Sequence, residues 1–509
     1  MTWDIDGAQG NESAKIKWEI VPYTRGTGLD LGCGPWKAFP HFTGVDNCHH
    51  AKHFGWPTNP DVHVETCEDL SRFAGNSHDF VFSSHLLEHI KDYQNALREW
   101  FRVIRPKGYL VLYVPDEDEY PKVGERGGNP DHKWNVNYGR VVEAMKGVGS
   151  WDLCRFEKRN KGDEYSLFFV FQKVGSKQTY SWKNPQPEKK AAVCRYGGIG
   201  DMIQCSSILP GLKEQGYHVT LYTTEVGFTL LRHDPNVDEF VVQDTDQVPN
   251  SQLGEFWDYL GKKYDKFINL SESVEGALLA LPGRVSHAWP YEMRHKYFNK
   301  NYLEFTHDIA GVPHNFGQKF YASEEEKRWA QKEKAAMGGF VIMWSLAGSS
   351  VHKSWPHLDQ VIARLMIEHP QVRVVLTGDE MCKLLERGWE NEPRVICRSG
   401  VWGIRTSLVF AQHSDLVVGT ETGLLNAVGF EEVPKVITLS HSSVENLTKH
   451  WKNTTSLLPR GMSCYPCHRL HYGFKYCFQD KETGCAECQV SITGDEMYEA
   501  IANWIKRHG

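Results

Sequence analysis

Residues 28–35 read Gly-Leu-Asp-Leu-Gly-Cys-Gly-Pro, and residues 195–201 read Arg-Tyr-Gly-Gly-Ile-Gly-Asp. Each stretch follows or contains a short apolar run and leads into helical spacing, so each reads as a first strand turning into a helix. Glycine permits the tight turn and lets backbone approach a ligand with no Cβ in the way. Outward from the first stretch, HDFVFSS (78–84), GYLVLYV (108–114) and EYSLFFVFQKV (164–174) are strand candidates. Between them QNALREWFRVI (94–104) has helical periodicity and stops at Arg105-Pro106-Lys107-Gly108. Outward from the second, AAVC, HVTLYTT, EFVVQ and KFINLS fill 190–320 with helices between. The amphipathic segment MIQCSSILPGLKEQG is among those helices. After the charged helix SEEEKRWAQKEKAAM come FVIMWSLAG, VRVVLTG, RVICRSG, LVVGTE and PKVITLS. Strands alternating with helices predict α/β units with parallel sheets covered on both faces.

The expected division is 1–174, a polar linker at 175–190 carrying two prolines, then 191–325 and 326–509. Charged residues at 24% and apolar residues at 40% exclude wholesale disorder and fibrous repeats. No apolar run approaches the roughly 20 residues of a membrane span. The polar start MTWDIDGAQG is not a signal peptide, so a soluble, cytoplasmic chain is expected. A net charge of −7 argues against a strong nucleic-acid binder. Thirteen cysteines, an odd number without an export signal, read as thiols or metal ligands rather than a disulfide framework.

A dinucleotide fingerprint needs a third glycine three places after Gly34, where Lys37 stands. Asp30 instead suits a ligand with a cationic end. Asp46 in TGVDN is placed to accept two ribose hydroxyls. With LDLGCG, GVDN, Glu68-Asp69, FVFSSHLLEHI and VIRPKGYLVLYVPD in that order, residues 15–173 resemble a class I S-adenosylmethionine-dependent methyltransferase of the type 11-like group with an "LEH" helix. The resemblance implies a Rossmann-like domain in which Asp30, Gly32 and Gly34 hold the methionine part of S-adenosylmethionine. It further implies Asp46 on the ribose, Asp69 near the adenine, and Ser83, Ser84 and His85 on the floor. His132, in GGNPDHKWN, is the candidate base, with His85, Glu88 and His89 near it in role. The His-rich stretch 48–53 reads as an adenosine rim or solvated loop, and the acidic run Asp116–Glu119 as a solvated loop.

The loop 197–201 lacks the Lys-Ser/Thr ending of a P-loop, which argues against ATP hydrolysis. Asp201 is placed either to deprotonate a hydroxyl or to cap the following helix. The Gly-Asp loop, Lys353-Ser354-Trp355-Pro356 and the turn Thr422-Gly423-Leu424-Leu425-Asn426-Ala427 together resemble glycosyltransferase family 9, the heptosyltransferase-like group. The resemblance covers 190–509 and implies a GT-B fold of two Rossmann-like halves, an acceptor half and a donor half. Asp201 would be the general base, with the glycine loop at Gly198 and Gly200 beside it. Lys353 would neutralise the diphosphate of a nucleotide-sugar donor, aided by backbone N–H groups of Ser349, Ser350, Thr422 and Gly423. Glu421 stands where the group usually has Asp, and Asn426 where it usually has His, so a heptose donor is not assumed.

Cys464-Tyr-Pro-Cys467 and Cys485-Ala-Glu-Cys488 are two CxxC pairs 17 residues apart, the spacing of a structural zinc site. Free thiols and disulfides are the other readings. The expectation is a bifunctional enzyme: methyl transfer from S-adenosylmethionine, plus inverting, metal-independent sugar transfer to a glycan or other hydroxyl acceptor, for example in surface-polysaccharide synthesis. Sugar transfer onto modified DNA bases, and a scaffold with one degenerate transferase half, are the alternatives.

Overall fold

The structure, a computed structural model, describes residues 11–49, 55, 60–175, 188–271 and 273–508. Most of the expected linker and of the His-rich stretch lies outside the described residues. The chain forms two compact units, Met1–Pro187 with Val242–Tyr259, and Glu188–Val241 with Leu260–Gly509.

In the first unit the strands are β1 (Gly28–Leu31), β2 (Thr43–Asp46), β3 (Val62–His63), β4 (His78–Ser84), β5 (Ile104–Pro115), β6 (Trp151–Arg159) and β7 (Ser166–Lys173). They form one sheet in the order β3-β2-β1-β4-β5-β7-β6. The first five pair in parallel, as alternating strands and helices predict. β7 instead runs antiparallel to both β5 and β6. The six residues between β6 and β7 are too few for a crossover helix, so the pair closes as a hairpin. β6 carries charges along WDLCRFEKR and sits at the sheet edge, which hid it from an apolar-run criterion. The helix Tyr93–Val103 is capped by Asp92, whose carboxylate accepts from the Asn95 amide at 3.0 Å. It buries Leu97, Trp100 and Phe101 against Leu29, Val81, Leu112 and Phe169.

The second unit holds β8 (Lys190–Cys194), β9 (His218–Thr224), β10 (Glu239–Gln243) and β11 (Lys266–Asn269) in the order β10-β9-β8-β11. A second sheet holds β12 (Phe340–Ser345), β13 (Val372–Thr377), β14 (Val395–Cys397), β15 (Leu416–Thr420), β16 (Lys435–Thr438) and β17 (Thr454–Leu457) in the order β14-β13-β12-β15-β16-β17. In each sheet the first strand lies inside, so chain progress reverses direction beside β8 and beside β12. The same reversal occurs at β1. In open α/β sheets ligands gather at such a switch, outside the carboxyl ends of the strands.

One apolar cluster runs through the second unit, from Val193, Met202 and Ile203 to Val341, Met343, Leu424 and Leu425. It is continuous because two glycines allow it. A Cβ on Gly423 would lie 2.4 Å from Ile199 Cβ and 3.0 Å from the Gly200 nitrogen. The segment expected as one long helix is two, Ile199–Ser206 and Leu209–Glu214. The Ser206 and Ser207 hydroxyls donate to the carbonyls of Ile203 and Gln204, and Pro210 starts the second helix. Gly423→Ala is expected to lower the unfolding free energy by about 1–3 kcal/mol through overpacking. Urea denaturation of the two chains checks this; superimposable curves would show that the helices part at no cost.

Candidate active sites

In the first unit β1 ends beneath a turn whose glycines have φ +71° at Gly32 and +53° at Gly34. Side chains rarely adopt this left-handed region. A Cβ at Gly34 would meet nothing within 4 Å, so the turn opens onto free space. The Gly34 amide donates to Asp46 Oδ2 at 2.9 Å and the Cys48 amide to Asp46 Oδ1 at 2.5 Å. Asp46 therefore braces the turn while each oxygen keeps a further lone pair. Asp30 is buried, accepts from the Ala38 amide at 2.9 Å, and burial pushes its carboxyl up to about 7. At the end of β4, beside β1, the Ser83 and Ser84 hydroxyls are buried with no hydrogen-bond partner. Unpartnered hydroxyls and an open glycine turn at a strand switch fit a polar ligand of nucleoside type. Asp69 is exposed and accepts from the Ser71 amide at 2.8 Å.

His85, Glu88, His89 and His132 come together next to this turn. His85 Nδ1, His89 Nε2 and His132 Nε2 stand 3.6, 3.9 and 3.8 Å from Glu88 Oε1. His132 is thus part of a buried cluster rather than an isolated base. The acidic run is not wholly solvated: Asp116 is buried and pairs with Lys158 at 2.9 Å.

In the second unit Asp201 lies in the first turn of helix Ile199–Ser206. The Gly198 amide donates to Asp201 Oδ2 at 2.9 Å, so the capping reading is realised. Arg195, buried, places Nη2 2.9 Å from Asp201 Oδ1 and 3.0 Å from Glu275 Oε1. The Asp201 side chain remains 31% exposed, open to a third partner. Gln204 Nε2 donates to Asn426 Oδ1 at 3.2 Å, and Asn426 Nδ2 to the Thr422 carbonyl at 3.0 Å. Asn426 is thereby fixed at the contact between the two helices.

β12 leads into the loop holding Ser349 and Lys353. A Cβ on Gly348 would strike Lys353 Cδ at 2.7 Å, so this glycine makes the notch in which the lysine lies. Burial pulls the Lys353 ammonium below its usual value, while the charges of Glu421 and Asp201 oppose that shift. Ser349 is exposed; Ser350 is buried, donating to the His471 carbonyl at 2.6 Å. Glu421 accepts from the Ser440 amide, the Ser440 hydroxyl and the Ser442 amide at 2.9, 3.0 and 3.1 Å, and pairs with His441. Burial opposes the charge on Glu421, but His441, Lys353 and His352 outweigh it and hold the carboxyl well below the carboxylate range.

Comparison with known proteins gives one family match. Residues 28–112 match the family model described as a methyltransferase domain. The match runs from β1 to near the end of β5 and so contains the glycine turn, Asp46, His85, Glu88 and His89, while His132 lies beyond it. A methyltransferase domain implies a cofactor of the S-adenosylmethionine type, and the chain is a transferase. No curated protein matches the sequence. Among solved structures, a family 9 glycosyl transferase from Veillonella parvula is 16% identical and aligns over 63% of this chain and 98% of its own, with TM-score 0.46. The iron-containing dodecameric glycosyltransferase TibC from enterotoxigenic E. coli is 14% identical over 67% of this chain and 82% of its own, with TM-score 0.43. A putative S-adenosylmethionine-dependent methyltransferase from Listeria monocytogenes is 14% identical over 32% of this chain and 100% of its own, with TM-score 0.25.

Beyond the methyltransferase domain, Cys464, Cys467, Cys477 and Cys488 line one small cavity of about 30 Å³, with His352, Tyr465 and His471. Cys485, the other member of the two CxxC pairs, lies against Ser354 and Thr483. The Cys485–Cys488 segment begins a short helix, Glu487–Val490, which separates the two thiols. Burial pushes Cys467 up to about 12 and Cys477 up to about 11.

Sequence reading missed Arg195, Gln204 and His441. Each is tied to a partner far along the chain, and no local spacing marks it. Glu421→Ala leaves the Ser440 and Ser442 amides and the Ser440 hydroxyl without their acceptor in a buried position and removes the carboxylate paired with His441, at an expected cost of about 3–5 kcal/mol. Chemical denaturation near neutral pH measures the loss; a change below about 1 kcal/mol would show that the loop 440–442 stands without its carboxylate.

Proposed function

We propose that the chain is a bifunctional transferase. The first unit moves a methyl group from S-adenosylmethionine, and the second moves a sugar from a nucleotide-diphosphate donor to a hydroxyl of a glycan or small-molecule acceptor. The sugar-transfer reading is carried by one observation. Lys353 and Asp201, from opposite sheets of the second unit, lie close enough that the carboxylate raises the lysine's proton affinity.

In the methyl half, bound S-adenosylmethionine supplies an electrophilic methyl on a sulfonium. Asp30 faces the ammonium end, Gly32 and Gly34 admit the cofactor backbone, and Asp46 and Ser83 accept from and donate to hydroxyls. Asp69 would sit at the adenine rim. Burying the reacting centre favours transfer, since charge is dispersed as the sulfonium becomes a thioether.

In the sugar half, Asp201 takes the proton of the acceptor hydroxyl as its oxygen attacks the sugar from the face opposite the diphosphate, which inverts the centre. Arg195 fixes one carboxylate oxygen and leaves the exposed edge for the acceptor. Lys353, rather than a metal ion, meets the charge that grows on the leaving diphosphate, with Ser349, Gly198 and Gly200 beside the same cleft. Glu421, turned to the loop 440–442, keeps Lys353 charged and does not itself reach for the donor. Asn426 shapes the sugar pocket from the helix contact.

The four cavity thiols are proposed to hold a structural metal ion, which would draw them closer than they stand here, since among the described residues no three of their Sγ atoms lie within 4.8 Å of one another. Burial keeps them protonated when empty, so binding releases protons. Zinc suits four thiolates, as does iron, and elemental analysis of the purified chain distinguishes them.

Asp201→Asn is expected to lower sugar-transfer kcat by about 10²–10⁴ while methyl transfer persists. Product mass spectrometry with a panel of nucleotide sugars reads both, and undiminished glycosylation would remove Asp201 as the base. Because the Asp30 carboxyl lies near 7, cofactor affinity should weaken below neutral pH, by up to about tenfold per pH unit. Below that value the carboxyl is protonated and loses its attraction for the ammonium. Calorimetric titration with S-adenosylmethionine from pH 8 to about 5.5 tests this; in Asp30→Asn the dependence should vanish.

A further inference from the structure

Glu88 has a side chain only 1% exposed, and neither carboxylate oxygen has a hydrogen-bond partner. A buried carboxyl left this way is costly unless something satisfies it. Around it stand three imidazoles, all aimed at the same Oε1 at 3.6–3.9 Å. Those distances exceed hydrogen-bond length. They approach the separation of about 3.4 Å between ligand atoms that share a tetrahedral cation at 2.0–2.2 Å. Ligand atoms of Glu88, His89 and His132 lie within 4.8 Å of one another. We propose that Glu88, His89 and His132 form a binding site for a divalent transition-metal ion, with His85 placed against Glu88 to position that carboxylate.

The surroundings hold these side chains ready. His85 sits at φ +49°, an uncommon conformation for a residue with a side chain. Its amide donates to the Tyr113 carbonyl at 2.7 Å, and its Nε2 lies 2.9 Å from the Ser166 hydroxyl, which leaves Nδ1 toward Glu88. The loop carrying His132 is tied to the Glu88 turn twice. The Lys133 amide donates to the Glu88 carbonyl at 2.8 Å, and Trp134 Nε1 to the Leu87 carbonyl at 3.0 Å. Two imidazoles and one carboxylate suit zinc, manganese, iron or cobalt, and not calcium or magnesium. A metal larger in coordination number than four retains a position for an oxygen ligand, from water or from a hydroxyl-bearing acceptor.

The site stands apart from the methyl-transfer reading, because its test counts metal. The full-length chain is stripped with chelator, reconstituted with Co²⁺, desalted and assayed for metal per chain, with the visible spectrum recorded. Sulfur-to-cobalt charge-transfer bands report the thiol cavity, and ligand-field bands without them report nitrogen and oxygen ligation. Wild type is expected to hold one equivalent more than Glu88→Gln and His132→Asn. Those variants should lose the nitrogen–oxygen component, keep the thiolate bands, and show affinity reduced at least about tenfold. Circular dichroism confirms that each variant is folded; His132→Asn, on the loop, carries the test should Glu88→Gln fail to fold. Equal cobalt content and identical spectra in wild type and His132→Asn overturn the proposal. Metal-loaded wild type that fails to bind S-adenosylmethionine would count against the cofactor reading alone.

Discussion

The absence of a side chain at Gly423 is the constraint on which the second unit rests. Ile199 occupies the space that any Cβ there would fill, so two helices from two sheets meet backbone to side chain. Once they meet, Gln204 reaches Asn426, the apolar cluster closes across both sheets, and Asp201 and Lys353 come within electrostatic range. Dispersion in such a contact falls quickly with distance. A displacement of the order of one methyl group would loosen the packing and the charge pairing together.

Charge is managed differently at the buried carboxyls. Glu421 is surrounded by donors and stays ionised. Asp30 has one amide and titrates near neutrality, at about 7. Glu88 has no partner, and burial pushes it up to about 8. The series follows how far neighbouring positive charge and hydrogen bonds to the charged form offset the cost of burial, most at Glu421 and least at Glu88. A carboxyl braced by four groups holds a loop, whereas one short of partners answers to a ligand.

The α/β class and the strand-ending turns at Gly32, Gly198 and Gly423 were legible in the sequence because glycine placement and apolar runs are local signals. The helix stop at Arg105–Gly108 was legible for the same reason. β6, β17 and the break at Ser206–Ser207 were not. β6 and β17 are edge strands with mixed polarity, and the break comes from hydroxyls competing for helix carbonyls. Around the candidate sites, residue types were legible and partnerships were not. Arg195 with Glu275, Glu421 with His441, and Cys477 with Cys464 are contacts made by folding, and nothing in local spacing announces them.

The cysteine-bearing loop touches both sheets of the second unit. Ala280, after β11, exchanges backbone hydrogen bonds with His468 and Leu470, at 2.8 and 3.0 Å. On the other side the Val351 amide donates to the His471 carbonyl at 3.0 Å. The two sheets are thus pinned at the glycine contact and again at this strap. Further side-chain bonds join the same two halves: Asn446 Nδ2 donates to the Phe298 carbonyl at 2.8 Å and Arg405 Nη1 to the Thr229 carbonyl at 2.9 Å. The cleft that holds Asp201 and Lys353 is therefore braced at several separate places, and loosening any one of them leaves the others to hold its width.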